Sequence, residues 1–148
     1  MSLLSFLFKK KHPFLQKEDC SPKNSGELIA KVTDGANLVD GKQTWDLAEE
    51  KKDDLEAMKR CCDAELKTME KAGLVPAPYY FERVAILSRK NNEYRQEIYY
   101  CEQYIEKVEA FYSKNGTKDI ADVRKGPRYK EIVKRLPKAK GLYAKQIT

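Results

Sequence analysis

The spacing of apolar residues predicts that the middle of the chain is helical. Between residues 93 and 114 the apolar positions are separated by 4, 3, 4, 3 and 4 residues, which is the pattern of one face of an amphipathic helix. These positions are Tyr94, Ile98, Cys101, Ile105, Val108 and Tyr112. We therefore predict a helix here with this stripe buried.

A second helix is predicted immediately before it, from residue 78 to residue 91. Pro78 suits the first turn of a helix, because its φ angle is already helical and its missing N–H needs no partner there. The residues expected to face inward are Phe81, Val84, Ala85 and Leu87. The short turn at Asn91-Asn92 then makes the two helices pack antiparallel as a helical hairpin.

Residues 45–72 are predicted to form one long helix. Thr44 is its expected N-cap, and Gly73 and Pro76 are expected to end it. Its apolar residues recur every three or four positions and are Trp45, Ala48, Leu55, Met58, Cys62, Leu66 and Met69. The three helices are predicted to share one core in an all-α fold, a small helical bundle that contains the hairpin.

Shorter elements are predicted on either side of this core. They are a helix over residues 26–34 capped by Ser25, a helix over residues 117–123 capped by Thr117, and a helix over residues 126–136 ended by Pro137. The rest of residues 13–43 has no assignment. The predicted domains are an apolar N-terminal segment (1–12), a single α-helical domain (13–136) and a basic C-terminal tail (137–148).

The N-terminal segment contains an apolar stretch from Leu3 to Phe8. This stretch is too short for a signal peptide or a membrane span, and the positive charges of Lys9 to Lys11 follow it instead of preceding it. Three interpretations stay open for residues 1–11: packing on the domain, weak contact with a membrane surface, and self-association. The oligomeric state is not predicted.

Charge is distributed unevenly along the chain. The formal net charge is +6, yet residues 124–145 hold nine lysines and arginines against one acid, so this region carries +8 and the rest of the chain −2. The candidate contacts for nucleic acid or for an acidic partner are Arg124, Lys125, Arg128, Lys130, Lys134, Arg135, Lys138 and Lys140. The alternative interpretation is a solvated charged face.

The sequence offers little catalytic or metal-binding chemistry. His12 is the only histidine, none of the four cysteines stands in a CxxC pair, and no Gly-rich phosphate loop, GxSxG or HExxH motif occurs. We therefore predict a protein that is not an enzyme and has no cofactor and no metal site. The cysteines, Cys20, Cys61, Cys62 and Cys101, are expected to be free thiols, with Cys62 and Cys101 buried, which favours the cytoplasm.

The hairpin resembles one tetratricopeptide repeat over residues 78–111, within the sequence FERVAILSRKNNEYRQEIYYCEQYI. The matching places are Phe81 at the start of the first helix, the large-small pair Val84-Ala85 at its middle, the turn at Asn91-Asn92, and the aromatic Tyr94 after it. Glu97 and Tyr104 stand where the repeat has small residues. The resemblance implies two antiparallel helices that pack on each other.

The same resemblance implies protein or peptide binding through the face of the first helix. The residues at the matching outward positions are Tyr79, Glu82, Ile86, Arg89 and Lys90, and the alternative is that they form only a solvated helix face. Tyrosines in and beside the hairpin also favour an interface, although several of them must instead fill the core: Tyr79, Tyr80, Tyr94, Tyr99, Tyr100 and Tyr104. We therefore predict a non-catalytic protein-binding module, an adaptor or a toxin-neutralising immunity protein, with nucleic-acid binding through the basic C-terminal region as the alternative.

Overall fold

Helices dominate residues 24–148, the part of the chain that the computed structural model describes. In chain order these residues form α1 (Ser25–Val32), β1 (Leu38–Val39), β2 (Lys42–Gln43), α2 (Thr44–Glu50), α3 (Leu55–Ala72), α4 (Pro78–Lys90), α5 (Tyr94–Asn115), a 3-10 helix (Val123–Lys125) and α6 (Pro127–Gln146). The prediction of a small all-α bundle is confirmed. The apolar N-terminal segment, His12 and Cys20 lie outside the described residues.

The helices α4 and α5 form the predicted hairpin. Asn92 adopts a left-handed conformation with a φ angle of 59°, its N–H donates to the Arg89 carbonyl at 3.0 Å, and the Glu93 N–H donates to the Ser88 carbonyl at 2.8 Å. These two bonds are the Schellman arrangement that ends a helix and redirects the chain. The tight turn therefore forms where the sequence predicts it.

The hairpin's first helix, α4, is the central helix of the bundle. It packs against α3, α5 and α6, and its inward residues Phe81, Val84 and Ala85 are fully buried, as predicted. The Phe81 ring lies 4.7 Å from the Tyr104 ring of α5, centroid to centroid. Because three helices cover α4, Lys90 is the only residue of this helix that is exposed.

The buried face of α5 differs in phase from the predicted stripe. The buried residues are Glu97, Cys101, Tyr104, Val108, Phe111 and Tyr112, whereas Tyr94, Ile98 and Ile105 are only half-buried. Two polar residues account for the shift. The Glu97 carboxylate is paired with two arginines, and the Tyr104 hydroxyl donates to the Pro76 carbonyl at 2.8 Å. Polar groups with partners can be buried, so the inward face does not follow apolar spacing alone.

The prediction of one helix over residues 45–72 is wrong. The chain leaves the helical conformation between α2 and α3, where the Asp54 side chain caps α3 by accepting a bond from a first-turn N–H at 3.0 Å. Arg83 of α4 stabilises this break, because its guanidinium donates to the Lys52 carbonyl at 2.8 and 3.0 Å and to Asp53 at 2.7 Å. A side chain that is distant in the sequence thus stabilises the break between α2 and α3.

Trp45 is 53% exposed, although the sequence places it in the core. Its ring lies over Gly26 of α1, so closely that a Cβ on Gly26 would come within 2.6 Å of it. The N-cap of α1 is Asn24, which accepts a bond from the Glu27 N–H at 3.0 Å, so the predicted cap at Ser25 is wrong. Glycine at position 26 therefore allows α1 to pack against the indole.

A small β-hairpin, which the sequence analysis leaves unassigned, connects α1 to α2. Its two strands are antiparallel, with Val39 opposite Lys42. Asp40 and Gly41 at the turn have positive φ angles of 51° and 76°, which is typical of a type I′ turn. The hairpin places Val39 in the core.

The C-terminal part of the chain differs from the prediction in two places. Residues 117–123 form no α-helix, and the 3-10 helix begins at the last of them, Val123. Pro137 lies inside α6, which continues to Gln146, so the prediction that this proline ends the helix is wrong. Ile132 and Ala139 on either side of it are fully buried, and this packing opposes the roughly 3 kcal/mol that an interior proline costs.

Candidate protein-binding surface

The residues that the sequence singles out on the first helix of the hairpin mostly contact the protein itself. The Tyr79 hydroxyl donates to the Ala48 carbonyl of α2 at 2.6 Å. The Arg128 guanidinium of α6 lies 4.8 Å from the centroid of the Tyr79 ring and pairs with Glu82 at 3.0 Å. These side chains therefore connect α4 to α2 and α6.

Arg89, another of these residues, belongs to a buried ion triad. Its Nε and Nη2 atoms each lie 2.9 Å from the carboxylate of Glu97, which is fully buried, and Arg135 of α6 contacts the same carboxylate at 2.9 and 3.0 Å. The triad joins the end of α4, the start of α5 and the middle of α6. Of the two remaining residues, Ile86 is half-buried and Lys90 is exposed.

The eight basic residues near the C-terminus do not form one free cationic surface. Four of them pair with carboxylates: Arg124 with Asp122 and Glu109, Arg128 with Glu82, Arg135 with Glu97, and Lys140 with Glu102. Within residues 24–148, Lys125, Lys130 and Lys138 have no carboxylate within 4.0 Å, and Lys134 lies 3.9 Å from Glu131. The paired carboxylates lower the positive potential that would attract phosphates.

A groove lined by tyrosines opens on the second helix of the hairpin, and we call it the tyrosine groove. Its lining includes Tyr94, Arg95, Tyr99 and Tyr100 of α5 and Gln146 from the end of α6, and its volume is about 610 Å³. Tyr99 is 58% exposed, and its ring meets the Tyr100 ring edge-on at 5.4 Å between centroids. The groove therefore presents aromatic surface to solvent.

Contacts to neighbouring elements hold the groove in shape. Gln146 donates to a carbonyl of the α4–α5 turn at 2.8 Å, and Gln96 donates to the Ser88 hydroxyl at 2.8 Å. The Tyr100 ring lies 6.4 Å from the Phe81 ring, and burial raises the pKa of the Tyr100 phenol above its usual value. A wall that is already ordered lowers the entropy cost of binding a partner.

Charges of both signs border the tyrosine groove. Glu93 and Arg95 line it, and a smaller groove of about 350 Å³ continues from Tyr94 to Leu142 and Lys145 of α6. Neither Arg95 nor Lys145 has a carboxylate within 4.0 Å in the described part of the chain. Both cations can therefore receive a carboxylate from a partner, and the mixture of signs would orient it.

The three described cysteines are buried thiols with little nucleophilic character. Cys61, Cys62 and Cys101 are free and fully buried, which confirms the prediction of burial for the last two. Burial raises the pKa of Cys61 to about 11 and that of Cys101 to about 12, and it raises the pKa of Cys62 well above its usual value. With pKa values this high, the three thiols are protonated at neutral pH. They are therefore inert, because the thiolate is the reactive form.

Glu65 is a half-buried carboxylate that connects α3 to its neighbours. It accepts bonds from the Thr44 hydroxyl of α2 at 3.1 Å and from the Ala77 N–H before α4 at 3.0 Å. Thr44, predicted as an N-cap, therefore bonds across the bundle instead. Burial raises the pKa of Glu65 above its usual 4.5, although the two hydrogen bonds act in the opposite direction.

The stability of the protein is expected to depend on the protonation of Glu65. The folded protein holds the proton of the Glu65 carboxyl more tightly than the unfolded chain does. The contribution of this protonated carboxyl to the free energy of unfolding is therefore fully present below pH 4.5, and it is lost as the pH rises through the higher folded pKa. Glu65→Gln is neutral at every pH and keeps an acceptor for the Ala77 N–H, so it should gain stability over the wild type at about pH 7 but not at about pH 4. Urea unfolding at both pH values measures this, and an equal difference at the two would contradict it.

Neither a metal site nor a membrane span is found within residues 24–148. No group of three or more histidine, cysteine, aspartate or glutamate side chains is arranged there to hold a metal ion. None of the helices there combines the length and the apolar character that crossing a bilayer requires.

No family model matches the chain, and neither does any curated protein or solved structure. Its function is therefore inferred from its own side chains.

The tyrosine groove is not predicted as a site from the sequence. Tyr94 is predicted in the buried stripe of α5, and Tyr99 and Tyr100 are predicted only as part of a generally tyrosine-rich hairpin. Tyr99 points outward and Tyr100 is half-buried. Adjacency of two aromatic residues does not predict this, because neighbours in a helix can both be buried, as Phe111 and Tyr112 of the same helix are.

Proposed function

We propose that the protein is a non-catalytic protein-binding module, of the adaptor or toxin-neutralising immunity type, that holds its partner in the tyrosine groove. The observation that carries the proposal is Tyr99, which is 58% exposed on an open groove lined by two further tyrosines. The proposed surface stays on the hairpin, but it lies on the second helix instead of the first.

The side chains of the groove suit an interface. A tyrosine ring buries a large area on binding while its hydroxyl keeps a hydrogen bond, and arginine forms forked bonds with a carboxylate. Both residue types are enriched among those that dominate interface affinity. We therefore expect the partner to place a large apolar side chain against Tyr94 and Tyr99 and to offer a carboxylate to Arg95.

The buried polar groups support a role without catalysis. The Glu97 carboxylate is paired with two arginines, Glu65 is held by two hydrogen bonds, and the three described thiols are protonated at neutral pH. None of these groups lines the tyrosine groove. A groove that lacks a nucleophile beside a base suits binding better than turnover. The free thiols also support a cytoplasmic location as part of the proposal.

The proposal is tested on the natural partner, identified by affinity purification from the native cell and mass spectrometry. Tyr99→Ala is expected to weaken binding of the purified partner by about 30-fold, the effect of losing a hot spot of about 2 kcal/mol. Tyr99→Phe keeps the ring and should retain most of the affinity, and Arg95→Glu should weaken binding by reversing a charge at the rim. Isothermal titration calorimetry measures all three variants.

Circular dichroism must first show that the variants are folded. If Tyr99→Ala and Arg95→Glu are folded and bind with wild-type affinity, the tyrosine groove is not the binding site. Recovery of polynucleotide alone, in a complex that weakens steeply with salt, would replace this proposal with the nucleic-acid alternative.

A further inference from the structure

We propose that the outer face of α6 is a second docking surface, which takes an acidic amphipathic helix of a partner protein. The face consists of an apolar seam, Val133, Pro137, Gly141 and Ala144, and a lysine edge, Lys130, Lys134 and Lys138, that runs beside the seam. All seven residues are exposed. None of them lines the tyrosine groove, so this proposal goes beyond the proposed function and does not depend on it.

The lysine edge offers charge at a regular spacing. Lys134 is 81% exposed and lies 3.9 Å from Glu131, while Lys130 and Lys138 have no carboxylate within 4.0 Å among residues 24–148. Residues four apart on a helix are separated by a rise of about 6 Å. Carboxylates four apart on a partner helix have the same separation, so they can align with all three lysines at once.

The apolar seam has the spacing of a helix-packing face. Its residues follow at intervals of 4, 4 and 3 positions, which keeps them on one side of α6 and away from the buried Ile132 and Ala139. Val133 is 43% exposed. A helix that lay along this seam would bury apolar surface that the described chain leaves in water.

Two residues of the seam, Pro137 and Gly141, are unfavourable inside a helix. Pro137 removes a backbone donor and Gly141 adds backbone freedom. A Cβ at Gly141 would meet no atom of residues 24–148 within 4 Å, so no contact in that part of the chain explains the glycine. Its missing side chain does allow a second helix to approach the α6 backbone closely.

A protein helix matches this surface better than a nucleic acid or a lipid bilayer does. A phosphate backbone would pair with the lysine edge but would not bury the apolar seam. A bilayer interface is bound by large apolar side chains such as leucine, phenylalanine and tryptophan, and Val133 is the largest that the seam offers. An amphipathic helix with carboxylates along one edge covers both the seam and the lysines.

The test uses a synthetic fluorescent peptide of about 21 residues, long enough to be helical, with leucine and alanine on one face and glutamate every fourth residue along its edge. Fluorescence anisotropy should show saturable binding to the full-length protein. The double variant Lys134→Glu and Lys138→Glu should weaken binding of this peptide about tenfold or more. The same variant should instead bind a second peptide in which lysine replaces each glutamate. Gly141→Gln should weaken binding similarly, with a melting temperature equal to or above that of the wild type.

The matched control is Lys107→Glu combined with Lys118→Glu, which makes the same charge change at exposed positions outside α6 and should alter affinity less than about twofold. Tyr99→Ala should also leave peptide binding unchanged, which separates this surface from the tyrosine groove. The proposal is overturned if the peptide shows no saturable binding, or if the control weakens binding as much as the α6 variants do. Tighter binding of an oligonucleotide of about 20 nucleotides, or of phosphatidylserine vesicles, through the same lysines would also overturn it.

Discussion

Glu97→Ala is expected to lower the free energy of unfolding by about 3–5 kcal/mol. The change removes the carboxylate between Arg89 and Arg135 and leaves two guanidinium groups that are only 24% and 17% exposed without their counter-charge. Those groups would repel each other, and neither could be fully hydrated without moving α6 away from the hairpin. Urea unfolding followed by circular dichroism measures the loss.

Two further changes separate the effect of charge from that of packing. Glu102→Ala removes a half-exposed carboxylate of the same helix, paired with Lys140 at 3.0 Å, and should cost under about 0.5 kcal/mol. Replacing Glu97, Arg89 and Arg135 together by leucine or methionine should recover most of the lost stability, because no buried charge then lacks a partner. A loss below about 1 kcal/mol for Glu97→Ala would show that the triad does not hold the three helices together.

Removal of residues 137–148 is expected to lower the free energy of unfolding by about 3 kcal/mol or more. This segment carries Ala139, which is fully buried, and Leu142 and Tyr143, which are half-buried. Exposing on the order of 120 Å² of apolar surface at about 25 cal/mol per Å² gives this figure. The shortened helix would also hold Arg135 less firmly against Glu97.

Thermal and urea unfolding of the truncated protein test this expectation. Deletion of residues 147 and 148 alone is the control, and it should change stability by under about 0.5 kcal/mol because Ile147 is 65% exposed. Wild-type stability in the longer truncation would mean that residues 137–148 behave as a separate tail, as the sequence alone suggests.

The hairpin is the part of the fold that the sequence predicts best, because its determinants are local. Pro78 starts α4, and the turn at Asn91-Asn92 ends this helix. The hydrogen bonds that form the turn join residues only a few positions apart. The apolar residues of α4 that are predicted to face inward are all buried, since neighbouring helices cover α4 on several sides. Local signals of this kind need no knowledge of the rest of the chain.

The errors arise where a distant residue decides the outcome. Glu97 faces the core because Arg135, 38 positions later, is one of its counter-ions, and no local spacing reveals that pair. The break between α2 and α3 likewise depends on Arg83, which binds the Lys52 carbonyl 31 positions before it. The helix α6 continues through Pro137 because residues before and after the proline are packed against the bundle.

The candidate site is predicted less well than the fold. The resemblance to a tetratricopeptide repeat favours the outer face of α4, but Tyr79 and Arg89 form contacts inside the bundle, to Ala48 and to Glu97. An arginine that belongs to a buried triad and one that awaits a partner are indistinguishable in sequence. The exposure of Tyr99 becomes visible only once the phase of α5 is known.

The ion triad also has a consequence for the order of events during synthesis. Glu97 and Arg89 leave the ribosome first, and Arg135 follows Glu97 by 38 residues, or about 2–8 s at common elongation rates. During that interval the nascent hairpin holds an acid with one of its two counter-ions and an apolar face that α6 has not yet covered. The bundle therefore cannot complete its folding until α6 has been synthesised, and until then the hairpin is a natural client for chaperones.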